Sequence, residues 1–346
     1  MDKKIVDVAA GVILRPDGQL LLGQRPHGKP WSGWWELPGG KIEPGETVQQ
    51  ALARELHEEI GIVVTAATPW VTLVHAYPEK TVRLSFCKVT AWDGEPQGLE
   101  SQALAWVAPA DAASVGTLLP ATLPVLKWLG LPDTYAITHI GHPAGLGAFL
   151  DRLDAALTRG ITLIQFREPG WPEGPDAASL HDAFQIVAQR CRAAGARLVV
   201  NSVHPLRWAQ ACDGLHLRAA DAALFAARGE SVRGGAASDA TPHTPTGQDA
   251  TDEITHLSGA ALLGVSAHTP QDIATARALN ADFVVVGPVL PTPSHPESPG
   301  IGWRGFERVI EDAGLPAYAL GGQSPLTLNI AHAAGAQGVA GIRSFI

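Results

Sequence analysis

GKIEPGETVQQALARELHEEIGI, from Gly40 to Ile62, sets Glu46, Glu55, Glu58 and Glu59 and one arginine, Arg54, at spacings that dictate a local structure. Thr47 follows the turn Pro44-Gly45 as an N-cap, and the spacing predicts a helix through Gln49, Ala53 and Leu56 that stops at Gly61. Glu55, Glu58 and Glu59 stand at i, i+3 and i+4, so their carboxylates share one helix face, and Glu46 in the preceding loop can join them. Like charges at that distance repel. Either water solvates them, as on a plain acidic helix face, or a hard divalent cation with oxygen ligands neutralises them. Arg54, on the flanking face, can hold one of the carboxylates in a fixed rotamer through a two-bond pair.

The rest of the composition narrows the partners. At 346 residues the chain has room for two cores. A formal net charge of −9 argues against duplex nucleic acid as the partner, because backbone binding needs a basic stripe; monomeric nucleotides are compatible with it. Cys87, Cys191 and Cys212 are scattered without a C-x-x-C pair, which fits buried thiols in a reducing compartment. The opening MDKKIVDVAAGVILR reads as a strand rather than a signal peptide, and no window offers the ~18 apolar residues of a bilayer span. A cytoplasmic protein with no membrane partner is expected.

Along the chain, residues 5 to 14 and 19 to 25 alternate around Pro16-Asp17-Gly18 and read as a hairpin. A second strand pair is expected at 70 to 77 and 81 to 92, and a helix from Leu123 to Leu129. Together these make an α+β sandwich over 1 to 131, with the boundary at Leu131-Pro132-Asp133. Over 132 to 346 the pattern becomes a repeat of short apolar strands and alanine-rich helical stretches. Strands are expected at 135 to 139, 161 to 167, 197 to 201, 214 to 218, 262 to 267, 283 to 287, 317 to 320 and 338 to 342. Eight strands alternating with helices imply a closed (β/α)8 TIM barrel. Residues 228 to 256, rich in Gly, Ser, Thr, Pro and Asp, read as a flexible insertion. No covering helix follows the last strand, leaving an apolar strip at Val339 and Phe345 that the first domain or, in an oligomer, a second subunit is expected to fill.

Written as G-x5-E-x7-R-E-U-x-E-E-x-G-U, with U a bulky aliphatic, the opening stretch is the complete Nudix box, and the first 131 residues resemble MutT-type Nudix hydrolases of the 8-oxo-dGTP diphosphatase kind. The resemblance implies water attack on an internal phosphate of a nucleoside triphosphate, releasing a nucleoside monophosphate and pyrophosphate. It implies metal ligation by Glu55, Glu58 and Glu59 with a carbonyl of Gly40 or its neighbour Gly39. Mg²⁺ is the expected ion, with Mn²⁺ the alternative. Lys41 would offset phosphate charge. Glu100, in the loop from Gly94, would complete the metal site or accept the proton from water, so the catalytic set is Glu55, Glu58, Glu100 and Lys41. Base recognition is implied at Arg25, Leu37 and Thr122, the last standing where the family has an asparagine.

The second half resembles thiamine-phosphate synthases and their TenI-type relatives. The carriers are Gln165-Phe166-Arg167-Glu168, Val200-Asn201, Gly214-Leu215-His216-Leu217, Gly264-Val265-Ser266-Ala267-His268, Val286-Gly287-Pro288-Val289 with Thr292-Pro293-Ser294, and Ala319-Leu320-Gly321-Gly322. The resemblance implies a phosphate or thiazole-phosphate ligand at Gln165, Arg167, Asn201, Ser266, Thr292, Ser294, Gly321, Gly322 and Ser344. Three expected charges are missing: Pro169 stands for a lysine, Ser202 for an aspartate and His295 for a lysine, while Asp221 is kept and Arg218-Ala219 replaces Gly-Gln. Such groups stabilise a departing pyrophosphate, so synthase activity is not expected. The leading reading is a nucleotide-sanitising pyrophosphohydrolase with an altered barrel. The alternatives are a working thiamine-phosphate synthase, or a thiazole-phosphate-binding regulatory module, with an accessory hydrolase.

Overall fold

A computed structural model describes residues 5–230, 232, 257, 261–292 and 299–346. Its first unit contains strands β1 (Ile5–Ile13), β2 (Leu20–Gln24), β3 (Trp35–Glu36) and β4 (Gly39–Lys41), then helix α1 (Val48–Ile60). Strands β5 (Val63–Ala76), β6 (Thr81–Asp93) and β7 (Leu104–Val107) and helix α2 (Leu123–Trp128) complete it. One sheet has the order β4-β1-β6-β5 and the other β3-β2-β7. Between Pro16 and Gly18 the turn forms as expected, closed by Gly18 N–H to Arg15 O and by a single Leu14–Leu20 bridge. The expected hairpin goes no further, because β1 and β2 part into different sheets.

Burial explains the parting. Strand β1 is buried on both faces: Ala9 and Ile13 join Leu52, Leu56 and Ile60 of α1, while Ala10 and Val12 join Trp35, Phe86, Val125 and Trp128 on the other face. A strand with two apolar faces is worth most in the middle of a sheet, so β1 pairs in parallel with β6, from Ile5–Thr81 to Ile13–Val89, and antiparallel with β4. Helix α1 begins and ends where its residues predict. Thr47 Oγ1 accepts from Gln50 N–H, Gln50 Oε1 accepts from Thr47 N–H, and Gly61 closes the helix at φ 73°.

The second unit is a closed barrel of eight parallel strands. They are β8 (Thr134–Ile137), β9 (Leu163–Phe166), β10 (Arg197–Asn201), β11 (Gly214–Leu217), β12 (Leu262–Ala267), β13 (Phe283–Val286), β14 (Ala317–Leu320) and β15 (Gly338–Gly341), all within the stretches expected from sequence except that β8 starts one residue earlier. Pairing of Val339 with Thr134 closes the ring. Helices α3 (Leu146–Thr158), α4 (Ala178–Ala193), α5 (Ala219–Arg228), α6 (Pro270–Ala278), α7 (Gly302–Ile310) and α8 (Leu328–Ala333) lie between strands. Between β10 and β11 there is only a 3-10 turn, Leu206–Ala211. Tyr135, Phe283 and Tyr318 fill the interior, ring centroids 5.3 to 5.6 Å apart, so the barrel is a packed core and not a pore. Most of the stretch 228 to 256 lies outside the described residues, as do Ser294 and His295.

Candidate functional site

A cleft of about 840 Å³ opens in the first unit, lined among others by Gly40, Lys41, Glu55, Glu59, Glu100 and Arg25. Its floor depends on two glycines. Gly39 holds φ 142°, and a Cβ there would sit 2.2 Å from Ala9 O. A Cβ on Gly40 would sit 2.1 Å from Glu55 Oε2, so only glycine lets the Glu55 carboxylate close onto the β4 backbone.

Arg54 is the hub of the acidic cluster. Its Nε and Nη2 donate to Glu46 Oε1 and Oε2 at 2.7 and 2.9 Å, Nη1 donates to Glu55 at 2.8 Å and Glu58 at 3.2 Å, and Nη2 also reaches Lys41 O at 3.0 Å. The hydrogen bonds from Arg54, with one from Glu43 N–H, hold the Glu46 carboxyl at about 2. Glu59 lies deeper and accepts from Gly39 N–H at 3.1 Å. Burial pushes its carboxyl up to about 7, reinforced by the charges of Glu100 and Glu36 and opposed by the Gly39 bond. The loop from Gly94 is pinned to the end of α1 by Gln97 N–H to Ile60 O, Leu99 N–H to Glu59 O and Gln102 Nε2 to Glu59 O. That places Glu100 at the cleft, where it meets Lys29 Nζ at 2.5 Å. Arg25 donates to Glu36 Oε1 at 2.5 Å and to Pro30 O at 2.7 Å in the cleft wall.

The barrel holds a buried polar chain. Val203 N–H donates to Asn201 Oδ1 (3.0 Å), Asn201 Nδ2 to Gln165 Oε1 (2.8 Å), and Gln165 Nε2 to Tyr135 Oη (2.9 Å). Tyr135 Oη lies 3.2 Å from His216 Nδ1, and His216 Nε2 lies 3.0 Å from Ser266 Oγ. The backbone donor at Val203 sets the amide orientations of Asn201 and Gln165, so Tyr135 Oη accepts from Gln165. The tyrosine hydrogen is then available to His216 Nδ1, in the tautomer whose Nε2 hydrogen faces Ser266. Burial drives the His216 imidazole down to about 3, so it is neutral. At the end of β11, Arg218 Nε and Nη2 take Asp221 Oδ2 and Oδ1 at 2.6 and 2.9 Å, and Ser202 Oγ donates to Asp221 at 2.5 Å.

Residues 5–129 match the model of the NUDIX domain, and residues 134–232 and 240–345 match that of thiamine monophosphate synthase. Over 107 residues, 31% of this chain and 79% of the relative, the sequence is 48% identical to an 8-oxo-dGTP diphosphatase of Haemophilus influenzae. It is 39% identical to a CTP pyrophosphohydrolase of Escherichia coli, over 36% of this chain and 90% of that protein. The chain belongs to both families. Its barrel half is 30% identical to a thiamine-phosphate synthase of Synechococcus, over 59% of this chain and 49% of that protein.

Within the Nudix domain, Glu55, Glu59, Glu100, Gly40, Lys41 and Arg25 line one cleft, whereas Glu58, Leu37 and Thr122 are not among its lining residues. Glu58 is largely exposed beside Arg54. Leu37 packs into the apolar cluster with Trp35 and Phe86, and Thr122 is buried at the start of α2. Among the described residues no three acidic, His or Cys side chains already converge as a cation cage. The donor set nonetheless fits a hard divalent ion: it is all oxygen, Gly40 leaves its backbone open beside Glu55, and Glu59 is a half-buried carboxyl whose charged form a cation would favour. Sequence reasoning missed Glu36, Lys29 and Gln102. Glu36 sits two residues before Pro38-Gly39-Gly40, a position the box pattern does not cover.

In the thiamine monophosphate synthase domain, Gln165, Asn201 and Ser266 are joined through Tyr135 and His216, which the sequence reading did not single out as a pair. Arg167 lines a separate cavity. Gly321 and Gly322, at φ 98° and 64°, pass close to Pro288 and Leu290. Ser344 is exposed after β15, Thr292 is partly exposed, and Ser294 lies outside the described residues. Among the described residues, no helix is long and apolar enough to cross a membrane.

Proposed function

We propose that the Nudix domain is a Mg²⁺-dependent nucleoside triphosphate pyrophosphohydrolase that removes damaged nucleotides such as 8-oxo-dGTP, releasing a nucleoside monophosphate and pyrophosphate. The observation that carries this reading is the single cleft that gathers Glu55, Glu59 and Glu100 beside the Gly39-Gly40 backbone, with Arg54 fixing the rotamer of Glu55. Bound Mg²⁺, or Mn²⁺, would supply Lewis-acid stabilisation of phosphate charge and a water acidic enough to ionise near neutral pH. Glu55 and Glu59 with the Gly40 carbonyl would hold it, with Glu58, exposed on the same helix, as a further ligand. Glu100 would take the proton from the attacking water, releasing Lys29 to the substrate phosphates alongside Lys41. Similarity to the CTP pyrophosphohydrolase favours a second reading of the same chemistry, with an unmodified pyrimidine nucleotide as substrate.

For the barrel we infer phosphate binding without thiamine-phosphate synthesis. Asp221, the acid kept from the family pattern, is taken on both oxygens by Arg218, and Pro169 and Ser202 carry no charge. A panel of ordinary and oxidised nucleotides, CTP and thiamine diphosphate, with pyrophosphate release measured with and without divalent cation, tests both substrate readings. Preference for thiamine diphosphate would overturn them.

A further inference from the structure

The loop between β2 and β3, residues 25 to 34, brings an indole to the cleft from outside the acidic cluster. Trp31 lines the cleft, yet 39% of it stays exposed. Its backbone lies in the left-handed region, at φ 62°, which a bulky residue adopts only where its surroundings hold it there. A set of hydrogen bonds does so. Arg25 N–H donates to Trp34 O at 2.8 Å, Gly33 N–H to Arg25 O at 3.0 Å and Trp34 N–H to Trp31 O at 3.1 Å. Gln24 Nε2 reaches Gly33 O at 3.0 Å, and Arg25 Nε closes the loop onto Pro30 O at 2.7 Å. The indole rests edge-to-face against Trp34, centroids 4.7 Å apart, and lies 6.0 Å from Tyr77, whose hydroxyl is hydrogen-bonded to the Ala121 backbone. A large ring is thus fixed at the cleft with part of its surface bare.

The three positions that the family resemblance assigns to the base are committed elsewhere. Leu37 and Thr122 are buried outside the cleft lining, and Arg25 gives Nε to Pro30 O and Nη1 to Glu36 Oε1. We propose that Trp31 sets the base preference of this cleft: it takes the nucleobase by stacking and selects purine over pyrimidine nucleotides by ring area, while Arg25 fastens its loop. Resting on the nucleotide reading of the cleft, the assignment favours a purine substrate over the pyrimidine alternative. A base laid on a preorganised indole gains contact over its whole face without first ordering the loop, and a fused two-ring base covers more of the indole than a single ring does.

The test is calorimetric titration of the full-length protein with dGMP and dCMP in Mg²⁺, beside turnover of dGTP and dCTP. The purine monophosphate should bind at least about fivefold more tightly than the pyrimidine one. Trp31→Asn removes the ring but suits a left-handed backbone, so the melting temperature should hold while dGMP weakens about tenfold and dCMP less than about threefold. Trp31→Phe, which keeps a smaller ring, should fall between, an order that collapse of the loop would not produce. In turnover, Trp31→Asn should raise KM for dGTP about tenfold and leave kcat within about threefold, because the ring meets the base and not the reacting phosphate. Purine-selective binding that depends on Trp31, without pyrophosphate release, would support the stacking site and sink only the hydrolase reading. Equal affinity for the two monophosphates, or unchanged dGMP affinity in Trp31→Asn, would overturn the stacking site whether or not nucleotides are turned over.

Discussion

Arg54 holds Glu46 by two parallel hydrogen bonds, Nε to Oε1 at 2.7 Å and Nη2 to Oε2 at 2.9 Å. With the guanidinium plane fixed from that side, Nη1 is aimed at Glu55 and Glu58, and Nη2 at Lys41 O. A lysine keeps the charge but cannot make the fork. Arg54→Lys should therefore lower kcat by about tenfold or more through misplacement of Glu55, while the melting temperature moves little because the charge is kept and the apolar face of α1 is untouched. Pyrophosphate release and a thermal scan on the same sample check both halves.

Glu55→Gln, Glu58→Gln and Glu59→Gln should each cost about two orders of magnitude or more in turnover with the domain still folded, since the apolar face of α1, Leu52, Leu56 and Ile60, is untouched. EDTA should abolish turnover, and added Mg²⁺ should restore it. Near-normal cation-dependent rates in all three variants would remove these glutamates from the metal site.

The eight barrel strands were legible because each is a short apolar run bounded by turn residues, and α1 because Thr47 and Gly61 mark its ends. The sheet membership of β1 and β2 was not, since alternation around Pro16-Asp17-Gly18 looks the same whether the strands pair or separate; the two-sided burial of Ala9 to Ile13 decides it. The acidic cluster could be read from spacing alone. The tie between Tyr135 and His216 could not, because it joins side chains 81 positions apart whose meeting depends on barrel closure. Leu37 and Thr122 show the same limit: their burial comes from packing against residues distant in sequence.

Thr122 is buried at the start of α2, and its side chain makes no cap bond. An asparagine there adds a second polar group and volume to a closed position. Thr122→Asn should lower stability by about 1 to 2 kcal/mol and leave the ratio of kcat/KM for 8-oxo-dGTP over dGTP within about twofold. A large rise in that ratio would show that position 122 reaches the base after all.

His216 gives the barrel a pH signature. Its folded pKa, about 3, lies below the ordinary 6.5, so the folded state resists protonation and the unfolded chain does not. No penalty exists above pH 6.5; from there down towards pH 3 stability is lost at about 1.4 kcal/mol per unit. His204, also pushed down by burial, acts in the same direction but is common to both proteins in the comparison. Between pH 7 and pH 5 the stability advantage of the unmodified protein over His216→Gln should shrink by about 2 kcal/mol in urea unfolding. A gap that stays constant over that range would mean that His216 titrates in the folded barrel as it does in the unfolded chain.

The proposed absence of synthase activity from the barrel should be visible in cells. Arg218 occupies Asp221 on both carboxylate oxygens, and Ser202 adds a third bond to the same group, so the one retained acid has no free face for a cation. Pro169 contributes neither charge nor an N–H where pyrophosphate would leave. Each lost clamp of this kind costs about 3 kcal/mol of transition-state stabilisation, and two such losses would remove about four orders of magnitude in rate. In a strain lacking its own thiamine-phosphate synthase, the full chain should not support growth without thiamine. Growth that depended on the barrel would mean that Arg218 gives way to a cation during turnover, and Arg218→Ala should then grow faster still.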